Sequence, residues 1–323
     1  MAKLPSVVTA REGVDELTES VVEGLKKTPK ELSAVWFYDE RGSTLFDDIC
    51  ELPEYYITRT EIAIMREHAD EMARAIGPRA ALIEFGSGTS EKTRTLLERL
   101  EAPAAYVPVD IAREHLLAAA EQLARDYPAL RIVPVCADFT QPFDLPPQIA
   151  FAQRRVVYFP GSTLGNFDEA HAQRLLSTMR TIIGHRGAVL IGIDLKKDPR
   201  LLEQAYDDRA GVTAAFNLNA LRHINRKVGS NFDLDAFEHL ALWVENKSRI
   251  EMHLVSTRDQ VVRVGDERIE FARGEHLRTE YCHKYTLEGF ANLAAHADLE
   301  VTHVWTDPHG KFSVQMLQAK KPA

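Results

Sequence analysis

The chain has 323 residues, with 39 Lys and Arg against 48 Asp and Glu, a formal charge of −9. Hydrophobic residues make up 45% and charged residues 27%, ordinary values for a globular chain with room for two domains. The sequence has no run of about 18 apolar residues, so no membrane helix is expected, and the acidic balance argues against nucleic acid, whose phosphates need clustered Lys and Arg.

The N-terminal stretch 1–24 is charged and lacks the apolar core of a signal peptide. Cys50, Cys136 and Cys282 are scattered, an odd count that suits neither a disulfide framework nor a CxxC metal site. A reducing cytoplasm is the expected location. The basic pairs Lys26-Lys27 and Lys320-Lys321 read as solvated ends. Neither a 20–50-residue repeat nor a low-complexity linker is visible, so two domains would have to be interleaved.

In chain order, short β-rich runs fall at 81–85, 106–110, 131–137, 156–159 and 188–193. Helical stretches at 90–100, 112–127 and 169–183 lie between them. Alternation of this kind predicts a parallel sheet with helices on both faces, doubly wound because crossovers are right-handed. The stretch 197–285 interrupts the pattern, opening with a helix over 199–209. It then turns β-rich at 240–245, 248–256, 260–264, 268–272 and 276–285. It reads as an insertion with its own antiparallel sheet, expected to cover the carboxyl ends of the main strands, where open α/β sheets bind ligands. Two last runs, 299–306 and 312–318, flank the turn Asp307-Pro308-His309-Gly310 and predict a terminal hairpin. A parallel core closed by an antiparallel hairpin suggests the α/β, Rossmann-like sheet of class I methyltransferases.

The first strand runs into Glu84-Phe85-Gly86-Ser87-Gly88-Thr89-Ser90-Glu91-Lys92. Glycines permit a tight turn and close approach of a ligand, and Thr89 or Ser90 is placed to cap the next helix. Glu91 stands where a dinucleotide fingerprint requires its third glycine and would repel a pyrophosphate. The second strand ends in Asp110, 24 residues after Gly86, where a carboxylate can accept from two ribose hydroxyls. The third ends in Asp138-Phe139, an acceptor for an adenine amino group beside an aromatic face. The fourth ends in Gly161-Ser162-Thr163-Leu164-Gly165-Asn166. Any one of these is also an ordinary loop residue. Together they describe an adenosine without a pyrophosphate, which points to S-adenosylmethionine. An NAD oxidoreductase is disfavoured by Glu91 and by the terminal hairpin. The Asn/Asp-Pro-Pro-Tyr/Phe motif of many base and amide methyltransferases is absent after the fourth strand, so a planar base or amide is not the expected acceptor. His223, His239, His253, His283 and His303 lack helical i, i+4 pairing, so no metal is expected.

Near the N-terminus, Trp36-Phe37-Tyr38-Asp39-Glu40-Arg41-Gly42-Ser43-Thr44-Leu45-Phe46 precedes Pro53-Glu54-Tyr55-Tyr56-Ile57-Thr58-Arg59-Thr60-Glu61. With 86–92 and 161–167, these stretches resemble the histidine Nα-methyltransferases of ergothioneine biosynthesis, over about residues 10–320. The resemblance implies a methyltransferase domain at 61–196 with 286–323, and a substrate domain at 1–60 with 197–285. It implies cofactor contacts at Tyr38, Phe46, Gly86, Lys92, Asp110, Asp138, Phe139 and Gly161. It places substrate contacts at Tyr56, Asn166, Tyr206, Thr213, Phe216, Met252 and Glu280, with Cys282 where the family's imidazole site carries Ser. The activity implied is S-adenosylmethionine-dependent methylation of the histidine α-amino group up to the trimethylated betaine, hercynine. The expected partner is a small amino-acid substrate, and a monomer is expected, although the sequence leaves the oligomeric state open.

These roles suit the residue types. Asn166 and Tyr206 can donate to a carboxylate. Glu280 is a charged acceptor for an azole N–H, and strand alternation puts Glu280 and Cys282 on one face. Met252 fills irregular apolar space. Edge-strand charge and plain core packing are the competing readings for Glu280 and Met252. A thiol is a weaker donor than a hydroxyl, so Cys282 leaves open the same chemistry on another amino acid or aromatic amine. A catalytically silent binding protein is the remaining alternative. No side chain is dedicated by sequence to taking the amine's proton.

Overall fold

The computed structural model describes residues 14–87 and 91–320. Gly88, Thr89 and Ser90, with the cap expected of Thr89 or Ser90, lie outside the described residues. Two compact units divide the chain, which passes between them after Thr58, Leu195 and Lys284. Among the described residues no helix is long and apolar enough to cross a membrane.

The first unit holds a seven-stranded sheet. Its order is Leu299–Thr306, Phe312–Ala319, Ala188–Asp194, Arg154–Phe159, Ala80–Phe85, Ala105–Asp110 and Val135–Cys136. The last five are mutually parallel, while Phe312–Ala319 runs antiparallel to both of its neighbours. This is the class I methyltransferase sheet with its terminal hairpin, as expected. Ala80–Phe85 and Ala188–Asp194 are buried along their whole lengths, which explains why they read as continuous apolar runs. The helix Glu169–Ile183 buries Ala172, Leu175, Leu176, Met179, Ile182 and Ile183 along one stripe. Its start is capped by Asp168, whose side chain accepts from the His171 N–H at 2.8 Å.

One strand is shorter than expected. Of 131–137, only Val135–Cys136 forms ladder structure, and Ile132 makes an isolated bridge to Tyr106. Pro134 lies between them and has no N–H to give the ladder. The helix expected over 90–100 is Glu91–Leu97.

The second unit contains two small sheets rather than one antiparallel sheet. The larger has the order Lys30–Glu31, His276–His283, Arg249–Ser256, Phe237–Val244. Its first strand comes from the N-terminal segment and pairs in parallel; the other contacts are antiparallel. The strands Gln260–Val264 and Glu267–Phe271 form a separate hairpin. The expected helix over 199–209 is Pro199–Tyr206. A 17-residue helix, Val212–Val228, has no counterpart among the expected elements. Polar residues on its buried side obscure its period: Asn217 donates to His253 O, Asn219 to Asp39 Oδ1, and His223 Nδ1 contacts Trp36 O.

Candidate active site

In the first unit the sheet changes winding direction at Ala80–Phe85, which is flanked by Ala105–Asp110 and Arg154–Phe159. Ligands bind outside the carboxyl ends of strands at such a switch point. Gly86 and Gly161 each follow one of these strands with φ +70° and +79°, a conformation that side-chain-bearing residues rarely adopt. A Cβ on Gly161 would sit 3.6 Å from Thr163 Oγ1 and 3.8 Å from Lys92 Nζ, ordinary contact distances, so the positive φ is what calls for glycine there.

The loop after Gly161 is held from behind. Ser162 has a left-handed backbone (φ 62°), and its Oγ accepts from the Asp194 N–H at 2.9 Å. Gly165 N donates to Ser162 O, and the tight turn Thr163–Asn166 follows, which fixes the backbone of Asn166.

Asp110 ends its strand as expected, and Asp138 follows two residues after the shortened strand Val135–Cys136. Asp110 Oδ1 accepts from Ala112 N at 2.8 Å, so that oxygen orders its own loop. Asp138 is exposed, and its Oδ1 accepts from both Thr140 N and Thr140 Oγ1. Phe139 stacks on Phe85 at 5.3 Å and meets Phe159 edge-on at 5.6 Å. Its ring edge would lie 3.9 Å from a Cβ on Gly86.

Lys92 is not simply a free cation at the loop. Its Nζ lies 2.5 Å from Glu61 Oε2. The Gly161 N–H donates to the same carboxylate, at 3.0 Å to Oε2. Glu61, fully buried, thus ties the first glycine loop's helix to the second glycine loop. Sequence reasoning missed this role although its signal was present. In the helix Tyr56–Ile76, Glu61 falls on the buried stripe of Ile57, Ile64, Met65, Met72 and Ile76, where an apolar residue is expected. Nearby Glu84 is also buried. Burial pushes its carboxyl up, against hydrogen bonds from Tyr106 and Thr93, to about 7.

In the second unit, aromatic rings form a continuous cluster. Phe216 stacks on Phe37 at 4.6 Å and packs against Tyr38 and Phe46 at 5.9 and 6.0 Å. Phe46 meets Tyr55, and Tyr55 meets Tyr206. The residues expected on the cofactor side (Tyr38 and Phe46) therefore share one cluster with Phe216, expected on the substrate side. Thr213 lies buried at the start of its helix, its N–H donating to Asp208 Oδ1 at 2.7 Å.

Strand register places Glu280 opposite Met252 and Cys282 opposite Ile250, beyond an irregularity between Arg278 and Glu280. Alternation thus holds across 280–282, and the two residues share a face with Met252. Tyr206 is anchored through its backbone: His239 Nε2 lies 2.8 Å from Tyr206 O, and Asn217 Nδ2 lies 2.8 Å from His239 Nδ1. With Asn217 as amide donor, His239 carries its proton on Nε2. Burial lowers the His239 pKa and keeps the ring neutral.

Two lysines complete this unit. Lys197 Nζ lies 2.6 Å from Tyr56 Oη. Lys284, just beyond the strand, is buried with its Nζ 3.0 Å from Tyr206 Oη and 3.2 Å from Cys282 Sγ. Neither lysine was singled out from sequence. Among the described residues no group of three or more His, Cys, Asp or Glu is placed to hold a metal ion.

The residues of the first unit fit an adenosyl ligand without phosphates: two glycine turns at the switch point, loop carboxylates on the second and third strands, and an aromatic ring beside Gly86. Comparison with known proteins agrees. The model of the family described as histidine-specific, SAM-dependent methyltransferases matches residues 17–319. A histidine N-alpha-methyltransferase of Mycolicibacterium smegmatis is 42% identical over 318 residues, covering 97% of this chain and 98% of that protein. A second, from Mycobacterium tuberculosis, is 41% identical over 93% of this chain and 94% of its own length. Ergothioneine biosynthesis protein 1 of Neurospora crassa is 31% identical over 87% of this chain, which spans 32% of that protein.

Proposed function

The chain belongs to the histidine-specific, S-adenosylmethionine-dependent methyltransferases, and from that premise we propose that it methylates the α-amino group of L-histidine, up to the trimethylated betaine. S-adenosylmethionine, when bound, supplies a methyl group already activated on a sulfonium. Gly86, Asp110, Asp138, Phe139 and Gly161 of the first unit hold it, with Lys92 and Glu61 fixing the loops. The second unit holds the amino acid.

The observation that carries the histidine reading is the face shared by Glu280, Met252 and Cys282. A carboxylate beside a thioether and a thiol suits a small ring with an N–H to donate, and a charged acceptor strengthens that bond. Tyr206 donates to the substrate carboxylate. The aromatic cluster of Tyr38, Phe46 and Phe216 offers ring faces to the positive charge that grows on nitrogen. Positioning and exclusion of water supply most of the acceleration.

The test is a mass assay of the pure enzyme with S-adenosylmethionine and histidine, Nα-methylhistidine, Nα,Nα-dimethylhistidine or tryptophan. A gain of three CH2 units on histidine is expected, with the methylated forms consumed as intermediates. Turnover of another amine with none of histidine would overturn the substrate. Accumulation of a mono- or dimethylated end product would overturn the trimethylation.

A further inference from the structure

Two tyrosines of the second unit carry an ammonium in the same way. Lys197 Nζ lies 2.6 Å from Tyr56 Oη and 4.6 Å from the Tyr56 ring centroid. Lys284 Nζ lies 3.0 Å from Tyr206 Oη and 4.8 Å from the Tyr206 ring centroid. An ammonium has donors and no lone pair, so each phenol oxygen accepts. Each phenol is then left either to donate its own O–H elsewhere or to lose it, and a cation at hydrogen-bond distance favours the anionic form.

The surroundings separate the two cases. Lys284 is 1% exposed, and its ammonium is shared with Cys282 Sγ at 3.2 Å. Lys197 is only half-buried and follows the exposed Lys196, while Tyr56 itself is 5% exposed. Tyr55, next along the chain, is excluded as an anion. Burial pushes its phenol well above its ordinary value, reinforced by Tyr206 and Cys50 and opposed by Lys284.

We propose that Tyr56, held as a phenolate by Lys197, takes the proton of the substrate amine, while Tyr206 stays a neutral phenol whose O–H is directed at the substrate carboxylate. The assignment rests on the amino-acid reading above. A phenolate at Tyr206 would repel the carboxylate, whereas the ammonium form of the substrate needs an acceptor before it can attack. In each cycle one N–H proton passes to Tyr56 Oη. The freed lone pair forms the N–C bond as the S–C bond of the sulfonium breaks, its electron pair remaining on sulfur. The Tyr56 phenol then returns its proton to solvent past Lys197. Three cycles remove three protons from the starting ammonium and leave a quaternary nitrogen with none.

The test is kcat against pH for histidine methylation by the wild type, Tyr56→Phe, Lys197→Met, Lys197→Arg and Tyr206→Phe, with calorimetric S-adenosylmethionine binding as the check on folding. Tyr56→Phe should lose roughly 10²- to 10⁴-fold in kcat, the range for a lost general base. It should also lose the acid limb of the profile and the near-UV tyrosinate band of the wild type. Lys197→Met should move that limb up by at least about one pH unit, the cation no longer favouring the anion, with activity returning at high pH. Lys197→Arg should restore it. Tyr206→Phe should raise KM for histidine and leave the limb in place. A Tyr56→Phe enzyme with kcat within tenfold of wild type and an unchanged limb overturns the proposal. So does an unmoved limb in Lys197→Met, or in Lys197→Gln should the Met variant not bind cofactor. If the wild type methylates another amine and not histidine, the histidine reading alone falls, and the same profiles on that amine decide the role of Tyr56.

Discussion

The Lys284 ammonium lies 3.2 Å from the Cys282 sulfur, two residues back along the chain, and the same nitrogen reaches Tyr206 Oη at 3.0 Å. One buried cation therefore couples the residue proposed to face the substrate ring to the residue proposed to hold the substrate carboxylate. Sulfur is a weaker acceptor than oxygen, so the contact to Cys282 is the weaker of these two.

Cys282→Ser replaces that weak acceptor with a hydroxyl that both accepts from Lys284 and donates towards the ring. Histidine KM is expected to fall about 3- to 10-fold, matching a gain of roughly 1 kcal/mol for one improved hydrogen bond. Cofactor affinity should not change. Steady-state kinetics on histidine and tryptophan side by side check this. An unchanged histidine KM would remove Cys282 from the substrate's surroundings.

Glu61 joins Lys92 and the Gly161 N–H on one carboxylate. Glu61→Ala leaves a cation and a backbone donor unpaired beside the glycine loops. The loss is expected near 3 kcal/mol, at the low end for a broken buried pair because Lys92 keeps some contact with water. S-adenosylmethionine affinity should drop tenfold or more. Glu61→Gln keeps an acceptor for Gly161 while losing the charge and should fall between. Calorimetry and thermal unfolding of the three proteins check the order.

Most of the first unit was legible because parallel strands buried on both faces are continuous apolar runs, and because glycine turns at strand ends are local in sequence. The limits of legibility were equally physical. Val212–Val228 went unread because Asn217, Asn219 and His223 occupy its buried side, each bonded to a partner more than 30 residues distant. Lys30–Glu31 is a two-residue strand defined only by its partner at 277–278. Glu61 looked like the end of a motif, since its partners, Lys92 and Gly161, lie 31 and 100 residues away. The lysines on Tyr56 and Tyr206 come together only through folding, 141 and 78 residues apart in sequence.

Gly192 gives an independent handle on Glu61. A Cβ there would fall 2.3 Å from Glu61 Oε1 and 3.0 Å from Phe312 Cζ. Both neighbours are fully buried, and Glu61 is held by two partners, so it cannot swing aside freely. Gly192→Ala should cost about 1–3 kcal/mol, as overpacking in a filled core does, and should weaken cofactor binding by displacing Glu61 from Gly161. In a Glu61→Ala background the obstructing carboxylate is gone, so the second substitution should cost clearly less. Additive losses in this double-mutant cycle would show that Gly192 acts through Phe312 instead.

Glu84 should leave a mark on stability against pH. Both its donors, Tyr106 Oη at 2.6 Å and Thr93 Oγ1 at 2.7 Å, bind the same oxygen, Oε2. Burial is the largest influence on this carboxyl, and those hydrogen bonds and Lys92 only partly offset it, so it titrates near 7 instead of 4.5. The folded state therefore binds more protons than the unfolded chain between those values, and stability falls as pH rises through the window. Above about 7 the full cost of the buried charge applies, on the order of 3 kcal/mol. Glu84→Gln reproduces Oε2 as a neutral carbonyl that can accept from both donors. The variant should unfold several degrees higher than wild type above pH 7 and lose that advantage as pH falls towards 4.5. Melting curves of the two proteins from pH 4.5 to 8.5 decide it, and curves that run parallel throughout would mean that Glu84 stays charged in the folded state.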